Sequence, residues 1–167
     1  LSRVDANETL QYAIDNLFEA IRESNAQITY DPLPIAEADP GQLAQLFQNL
    51  IGNAIKYRGD KDPCVHISGE VRGSRCIYSI EDNGIGIEPS YREQVFGVFK
   101  RLHNRSKYKG TGIGLAICKR IVDRVDGQIW IESSASGGSI FRFEIPHGSD
   151  DDSSDVIQAQ EDACCVS

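Results

Sequence analysis

The chain has 167 residues, 40% of them apolar and 25% charged, enough for one soluble domain with a core and too few for two comfortable ones. No apolar run reaches the roughly 18 residues that a membrane-spanning helix needs, and Leu1-Ser2-Arg3-Val4 reads as the continuation of something longer. The net charge of −8 gathers at the end, where Asp150, Asp151, Asp152, Asp155, Glu161 and Asp162 stand without a base, so the body is close to neutral and ill-suited to nucleic acid.

Five cysteines (Cys64, Cys76, Cys118, Cys164, Cys165) lack zinc-ligand spacing, and their odd number points to reduced thiols in the cytoplasm. In chain order, Leu10, Ile14, Leu17, Phe18 and Ile21 recur at helical spacing behind an N-cap at Asp5 or Asn7. Ala26 to Tyr30 reads as a strand ended by Asp31-Pro32. A second helix starts at Asp39-Pro40 and runs to about Tyr57, with Leu43, Leu46, Phe47, Leu50, Ile51, Ala54 and Ile55 on one face. Two strands follow: Val65, Ile67 and Val71 alternate inward, and Cys76 to Ile80 returns after an Arg72-Gly73-Ser74 turn. Tyr91 to Phe99 predicts a short helix, Lys100 to Lys109 a loop, and Gly112 the start of a third long helix. Gln128 to Glu132 and Ser139 to Ile145 close a hairpin around Ser136-Gly137-Gly138. Helices and paired strands without regular βαβ alternation predict an α+β, two-layer sandwich, with one mixed sheet carrying about three long helices on one face.

Three segments carry chemistry. Asn49, Asn53 and Lys56 fall within about 60° of one another on the polar side of the second helix. Asp82 ends a strand and enters Asn83-Gly84-Ile85-Gly86-Ile87, where a carboxylate can accept from an adenine amino group while glycines let backbone pass close to a base. Gly110-Thr111-Gly112-Ile113-Gly114-Leu115 opens a helix whose N–H groups suit phosphate. It is not a dinucleotide fingerprint, since Leu115 stands where the third glycine belongs, and it lacks the Gly-Lys-Ser/Thr of a P-loop. Before it, Lys100, Arg101, His103, Arg105, Lys107 and Lys109 make a basic segment fit to cover a polyphosphate as a flexible lid.

In this order the segments resemble the catalytic ATP-binding domain of sensor histidine kinases, the Bergerat nucleotide fold, over Val4 to Pro146. Asn49 to Tyr57 is similar to the family's N box, and Asp82-Asn83-Gly84-Ile85-Gly86 to its first glycine box. Phe96-Gly97-Val98-Phe99 is similar to its F box, Gly110 to Leu115 to its second glycine box, and Gly138-Ser139-Ile140-Phe141 to its last turn. Phe99-Lys100-Arg101-Leu102-His103 looks most like the soluble phytochrome- and PAS-linked sensors.

The resemblance implies ATP and Mg²⁺ as cofactors and Asn49, Asn53, Lys56 and Arg101 as the catalytic set. Asn53 is implied as the metal ligand, with Asn49 beside metal and phosphates and Lys56 on the phosphates. Tyr57 is implied to pack on adenine, Asp82 to accept from its amino group, and Gly84 and Gly86 to allow close approach. Arg101 is implied to meet the γ-phosphate. Gly110, Gly112 and Gly114 are implied to line the triphosphate, and Thr111, Ile113, Leu115, Ile87 and Phe99 to complete the nucleotide-binding set.

His66, His103 and His147 are followed by Ile67, Asn104 and Gly148, whereas an acceptor histidine of this family sits on a helical hairpin and precedes an acid. The resemblance therefore implies a kinase domain at 1–147 that phosphorylates a separate phosphoacceptor helical domain and feeds a response regulator, followed by an acidic, disordered tail at 148–167. Hydrolases of the same fold carry glutamate at the Asn49 position, and an amide cannot act as that base.

Overall fold

The computed structural model describes residues 1–92, 94–96 and 113–148. Its elements are β1 (Ser2–Val4), α1 (Ala6–Asn16), α2 (Phe18–Ser24), β2 (Gln27–Tyr30), β3 (Ala36–Ala38), α3 (Pro40–Lys56), β4 (Cys64–Arg72), β5 (Arg75–Asp82), α4 (Ile113–Asp123), β6 (Gln128–Ser133) and β7 (Ser139–Pro146). Five strands form one mixed sheet in the order β2-β4-β5-β7-β6, parallel at β2–β4 and antiparallel elsewhere. The helices pack against it, giving the two-layer α+β sandwich expected.

The α3 helix is the centre of the core because its start and its apolar stripe are both strongly specified. Asp39 accepts from Gly41 N–H (2.8 Å) and Gln42 N–H (3.3 Å), with Pro40 at the first helical position. Every residue of its expected apolar face is buried. Phe47 meets the rings of Tyr78 and Phe143 edge-on, each at 5.8 Å, while Tyr78 and Phe143 stack at 5.2 Å. These inward residues alternate along β5 and β7, so the strand period and the helix period meet in one cluster. The buried Tyr78 hydroxyl donates to Pro34 O at 2.7 Å, and burial pushes its phenol far above the ordinary range.

Four sequence expectations are corrected. The first helix breaks at Leu17, whose N–H bonds to both Ala13 O and Ile14 O; a Cβ on Gly52 would lie 3.7 Å from the Leu17 side chain. The break leaves Phe18 outside the apolar face, 62% exposed. Val71 is exposed as well, although Cys76, its partner on β5, is buried. Where a helix from Tyr91 was expected, the described residues form two 3₁₀ turns, Pro89–Tyr91 and Gln94–Phe96; residues 93 and 97–99 of that expected helix lie outside the described residues. A two-stranded sheet of β1 and β3, not anticipated, pairs Ser2 with Ala38 and Val4 with Ala36.

Candidate functional site

Four segments converge at one end of the sheet. The polar stripe of α3 presents Asn49 and Asn53, both half-buried, and Lys56, exposed in the last turn. Asn49 Nδ2 donates to Gly114 O at 3.3 Å, which fastens α3 to the first turn of α4 across 65 residues of sequence. That bond uses the donor side of the amide and leaves Asn49 Oδ1 as the acceptor. Beneath it lies the fully buried Cys118; burial pushes its thiol up to about 12, against a smaller downward pull from the Asn49 amide.

Asp82 closes β5 and is buried at 7% exposure. Its Oδ1 accepts from Gly84 N–H at 2.8 Å and from Ser139 N–H at 3.2 Å. Both bonds go to the same oxygen, so among the described residues Oδ2 is the atom left for an external donor. Burial raises the Asp82 carboxyl above its ordinary value; the Gly84 and Ser139 N–H groups pull it back, and the Glu81 charge adds to the rise.

The loop after Asp82 is held against two other segments. Ile85 N–H donates to Tyr57 O at 3.2 Å, and a Cβ on Gly84 would come within 2.7 Å of that same carbonyl. Gly86 adopts φ +77, and a Cβ there would lie 2.8 Å from Gly137 O. Asn83 points the other way and clips the loop before β4: its Oδ1 accepts from Cys64 N–H (2.9 Å) and its Nδ2 donates to Asp62 O (3.1 Å). Arg92 donates from Nε to Ile87 O at 3.4 Å and from its terminal nitrogen to Ser133 Oγ at 2.5 Å. Ile87 and Leu115 pack against the rim of the core.

Asn49, Asn53, Lys56, Tyr57, Asp82, Gly84, Gly86, Ile87, Gly114 and Leu115 thus lie on the segments that meet here. Ile113 begins α4, and nothing is described of its side chain. Phe99, Arg101, Gly110, Thr111 and Gly112, with the rest of the expected lid, lie outside the described residues. Ser139 and Asn83 escaped the sequence-based site list, although the final turn and the first glycine box that contain them were both recognised; Ser134 and Ser136, just before that turn, escaped it too.

The segments assembled here are those of a nucleotide-binding ATPase domain. The chain belongs to the family described as histidine kinase-, DNA gyrase B-, and HSP90-like ATPases, which matches residues 38–149. It is a catalytic ATPase domain of the histidine-kinase type. It is 47% identical over 148 residues to the phytochrome-like protein Cph1 of Synechocystis, covering 89% of this chain and 20% of that protein. The chain therefore spans about a fifth of that relative. Among solved structures it resembles the nucleotide-free catalytic domain of the histidine kinase ThkA (29% identity, TM-score 0.74, 87% of this chain and 97% of that one). It also resembles full-length ShkA in complex with AMPPNP (27% identity, TM-score 0.76, 89% of this chain and 31% of that one). ThkA has further been solved in complex with the response regulator TrrA, at 26% identity to this chain and a TM-score of 0.70, covering 87% of this chain and 41% of that one.

Proposed function

We propose that this chain binds Mg-ATP between α3, the Asp82–Ile87 loop and the start of α4, and transfers the γ-phosphate to a histidine on the phosphoacceptor helical domain of its parent kinase. The observation that carries this reading is Asp82: buried, fixed by two backbone N–H groups on one oxygen, with the second oxygen left to accept from a base amino group. Asn49 and Asn53 present amide oxygens on the neighbouring helix, and Lys56 stands a turn further on as a cation for phosphate.

Among the described residues no group of three His, Cys, Asp or Glu side chains can hold a metal ion. Mg²⁺ would therefore be held by Asn53 Oδ1 together with the oxygens of the nucleotide itself, a donor set of hard oxygens that suits this ion. Once bound, it would neutralise phosphate charge. The chain's own part is positioning. Asp82 orients the base, the α3 stripe and the glycines 110–114 hold the triphosphate, and Arg101 meets the γ-phosphate.

The acceptor is proposed to lie elsewhere. His66 is engaged on β4, with Nδ1 2.7 Å from Thr29 Oγ1 and Nε2 3.2 Å from Asp31 Oδ2, and His147 N–H donates to Ser74 O. Neither stands on a helix. The resemblance to ThkA, solved with TrrA, supports a response regulator as the downstream partner. The proposed kinase domain is 1–147, with 148–167 an acidic tail. No helix among the described residues is long and apolar enough to cross a membrane, and the three described cysteines are unbridged, which supports a cytoplasmic setting.

The test is labelled ATP supplied to the chain with and without the helical domain. Label is expected only on the helical domain, acid-labile and base-stable. Stable label on the isolated chain would place an acceptor within it, and rapid phosphate release without an acceptor would favour a hydrolase; either outcome overturns this reading. The identity of Asn49 argues against hydrolysis, since a carboxamide offers no base for water.

A further inference from the structure

Asp82 is braced from behind by the turn between β6 and β7, whose role in the site is not accounted for by the segments above. Residues 134–138 close on themselves through Ser134 N–H to Gly138 O (3.1 Å) and Gly137 N–H to Ser134 O (3.0 Å). Two serine hydroxyls then tie this turn to the end of β5. Ser134, only 6% exposed, donates from Oγ to Glu81 Oε2 at 2.5 Å, and Ser136 Oγ donates to the Asp82 carbonyl at 3.3 Å. The two hydroxyls also lie 3.0 Å from each other.

The contact with Asp82 is tight. A Cβ on Gly138 would fall 2.7 Å from both Asp82 Oδ1 and Gly84 N. The next residue, Ser139, supplies one of the two N–H groups that hold Oδ1. A hairpin turn of this length needs glycine, but it does not need a buried hydroxyl bonded to a carboxylate. Such a bond is short, charge-assisted and directional, the kind that sets a position. Whether the Ser139 N–H reaches Oδ1 depends on whether the turn stays seated on Glu81.

We propose that Ser134 and Glu81 are positioning residues for base selection. Their hydrogen bond seats the 134–138 turn against Asp82, which turns Oδ2 toward an exocyclic amino group and makes the site prefer a 6-amino purine to a 6-oxo purine. This rests on the reading that Asp82 accepts from the base. Neither side chain touches the nucleotide; both act through the rotation of the Asp82 carboxylate.

The experiment is calorimetric titration of the 167-residue chain with Mg-ADP and with Mg-inosine diphosphate, with melting temperatures recorded in parallel. The unaltered chain is expected to favour ADP. Ser134→Ala should lose about five- to tenfold in ADP affinity and change inosine diphosphate binding by less than about twofold, so that selectivity falls. Ser134→Thr keeps the hydroxyl and should restore the ratio. Glu81→Gln keeps an acceptor without the charge, and a smaller loss, about two- to threefold, is expected. If Ser134→Ala does not fold, the selectivity of Glu81→Gln decides. Parallel weakening of both nucleotides with a fall in melting temperature would reduce Ser134 to a structural residue and overturn the proposal. So would unchanged selectivity in the variants of an ADP-selective chain, which leaves the role of Asp82 standing. An unaltered chain that binds neither nucleotide, or binds both equally, overturns the reading of Asp82 and this inference with it.

Discussion

The two halves of the candidate site are built differently. On the sheet side, Asp82 is buried and its Oδ1 held by two backbone donors, and the loop that follows is stitched to Tyr57, Asp62, Cys64 and Ser133 by hydrogen bonds. On the helix side, Asn49 makes one long side-chain bond to Gly114 O, while Asn53 and Lys56 sit at increasing exposure along α3. The difference follows the chemistry each half is proposed to meet. A purine base is flat and presents fixed donors, so it is best read by a prearranged acceptor whose desolvation cost is already met by folding. A triphosphate with its metal brings charge and water, and half-exposed amides and an ammonium can adapt to it.

The largest effect is expected on the helix side. Asn53→Ala should lower transfer to the helical domain by at least about a hundredfold, because the amide oxygen is the proposed protein ligand to Mg²⁺. Asn53 is only half-buried, so the melting temperature should hold. Transfer assays beside thermal melts separate the two. A variant that melts early and keeps part of its activity would place Asn53 with structure and break the contrast.

On the sheet side the signature is the reverse. Asp82→Asn should weaken ADP binding by about 1–3 kcal/mol, since an amide N–H₂ would face the base amino group with a donor. The same change should raise the melting temperature of the nucleotide-free chain, because it removes a charge whose burial is unfavourable. The sign can be checked against pH. Burial raises the Asp82 carboxyl above its ordinary 3.8, so its contribution to stability is full below that value and is lost as pH rises through the raised one. Affinity for ADP runs the other way and falls as pH drops through the raised value. The stability advantage of Asp82→Asn should thus vanish at low pH, and denaturant titrations over that range would show it.

Reactivity of the thiols gives a smaller test of the same contrast. Cys118 lies buried beneath Asn49 with its thiol pushed up to about 12, while Cys64 is exposed where Asn83 clips the loop before β4. Peptide mapping after brief alkylation should find Cys64 labelled and Cys118 protected, by at least about tenfold in rate. Comparable labelling of the two would mean that the helix side opens readily between Asn49 and α4.

Much of this was legible in the chain, and the parts that were not share a cause. The α3 stripe repeats at a fixed period, so pattern alone separated Phe47 and its buried neighbours from Asn49 and Asn53, and β5 and β7, which carry Tyr78 and Phe143, were legible as strands. Asp5 as N-cap was readable because a cap acts over two or three residues; its Oδ1 accepts from Asn7 N–H at 2.9 Å. What escaped depends on residues distant in sequence. The break at Leu17 is coupled to its packing over Gly52, and the pairing of β1 with β3 spans some thirty residues that hold two helices and β2. Ser134 meets Glu81 across 53 positions. A serine in a Ser-Ala-Ser-Gly-Gly run reads as turn polarity, and only the fold reveals that its hydroxyl is buried on a carboxylate.

The smallest expected effect concerns the acidic tail. Truncation after Gly148 should change neither half of the site, because the last described residues are already secured: His147 N–H donates to Ser74 O at 2.8 Å and Gly148 N–H to Ile35 O at 2.9 Å. The melting temperature should stay within about a degree and the ADP affinity within about twofold. Salt makes the test sharper. Six acids beyond Gly148 and five Lys or Arg residues from Lys100 to Lys109 carry opposite charge. If the tail screened the basic segment from phosphate, truncation would raise ADP affinity at low ionic strength and the gain would fade at high salt. A contact with the sheet side would instead lower the melting temperature at every salt concentration. Equal affinity and equal melting at both ionic strengths is the outcome expected of a tail that touches neither half.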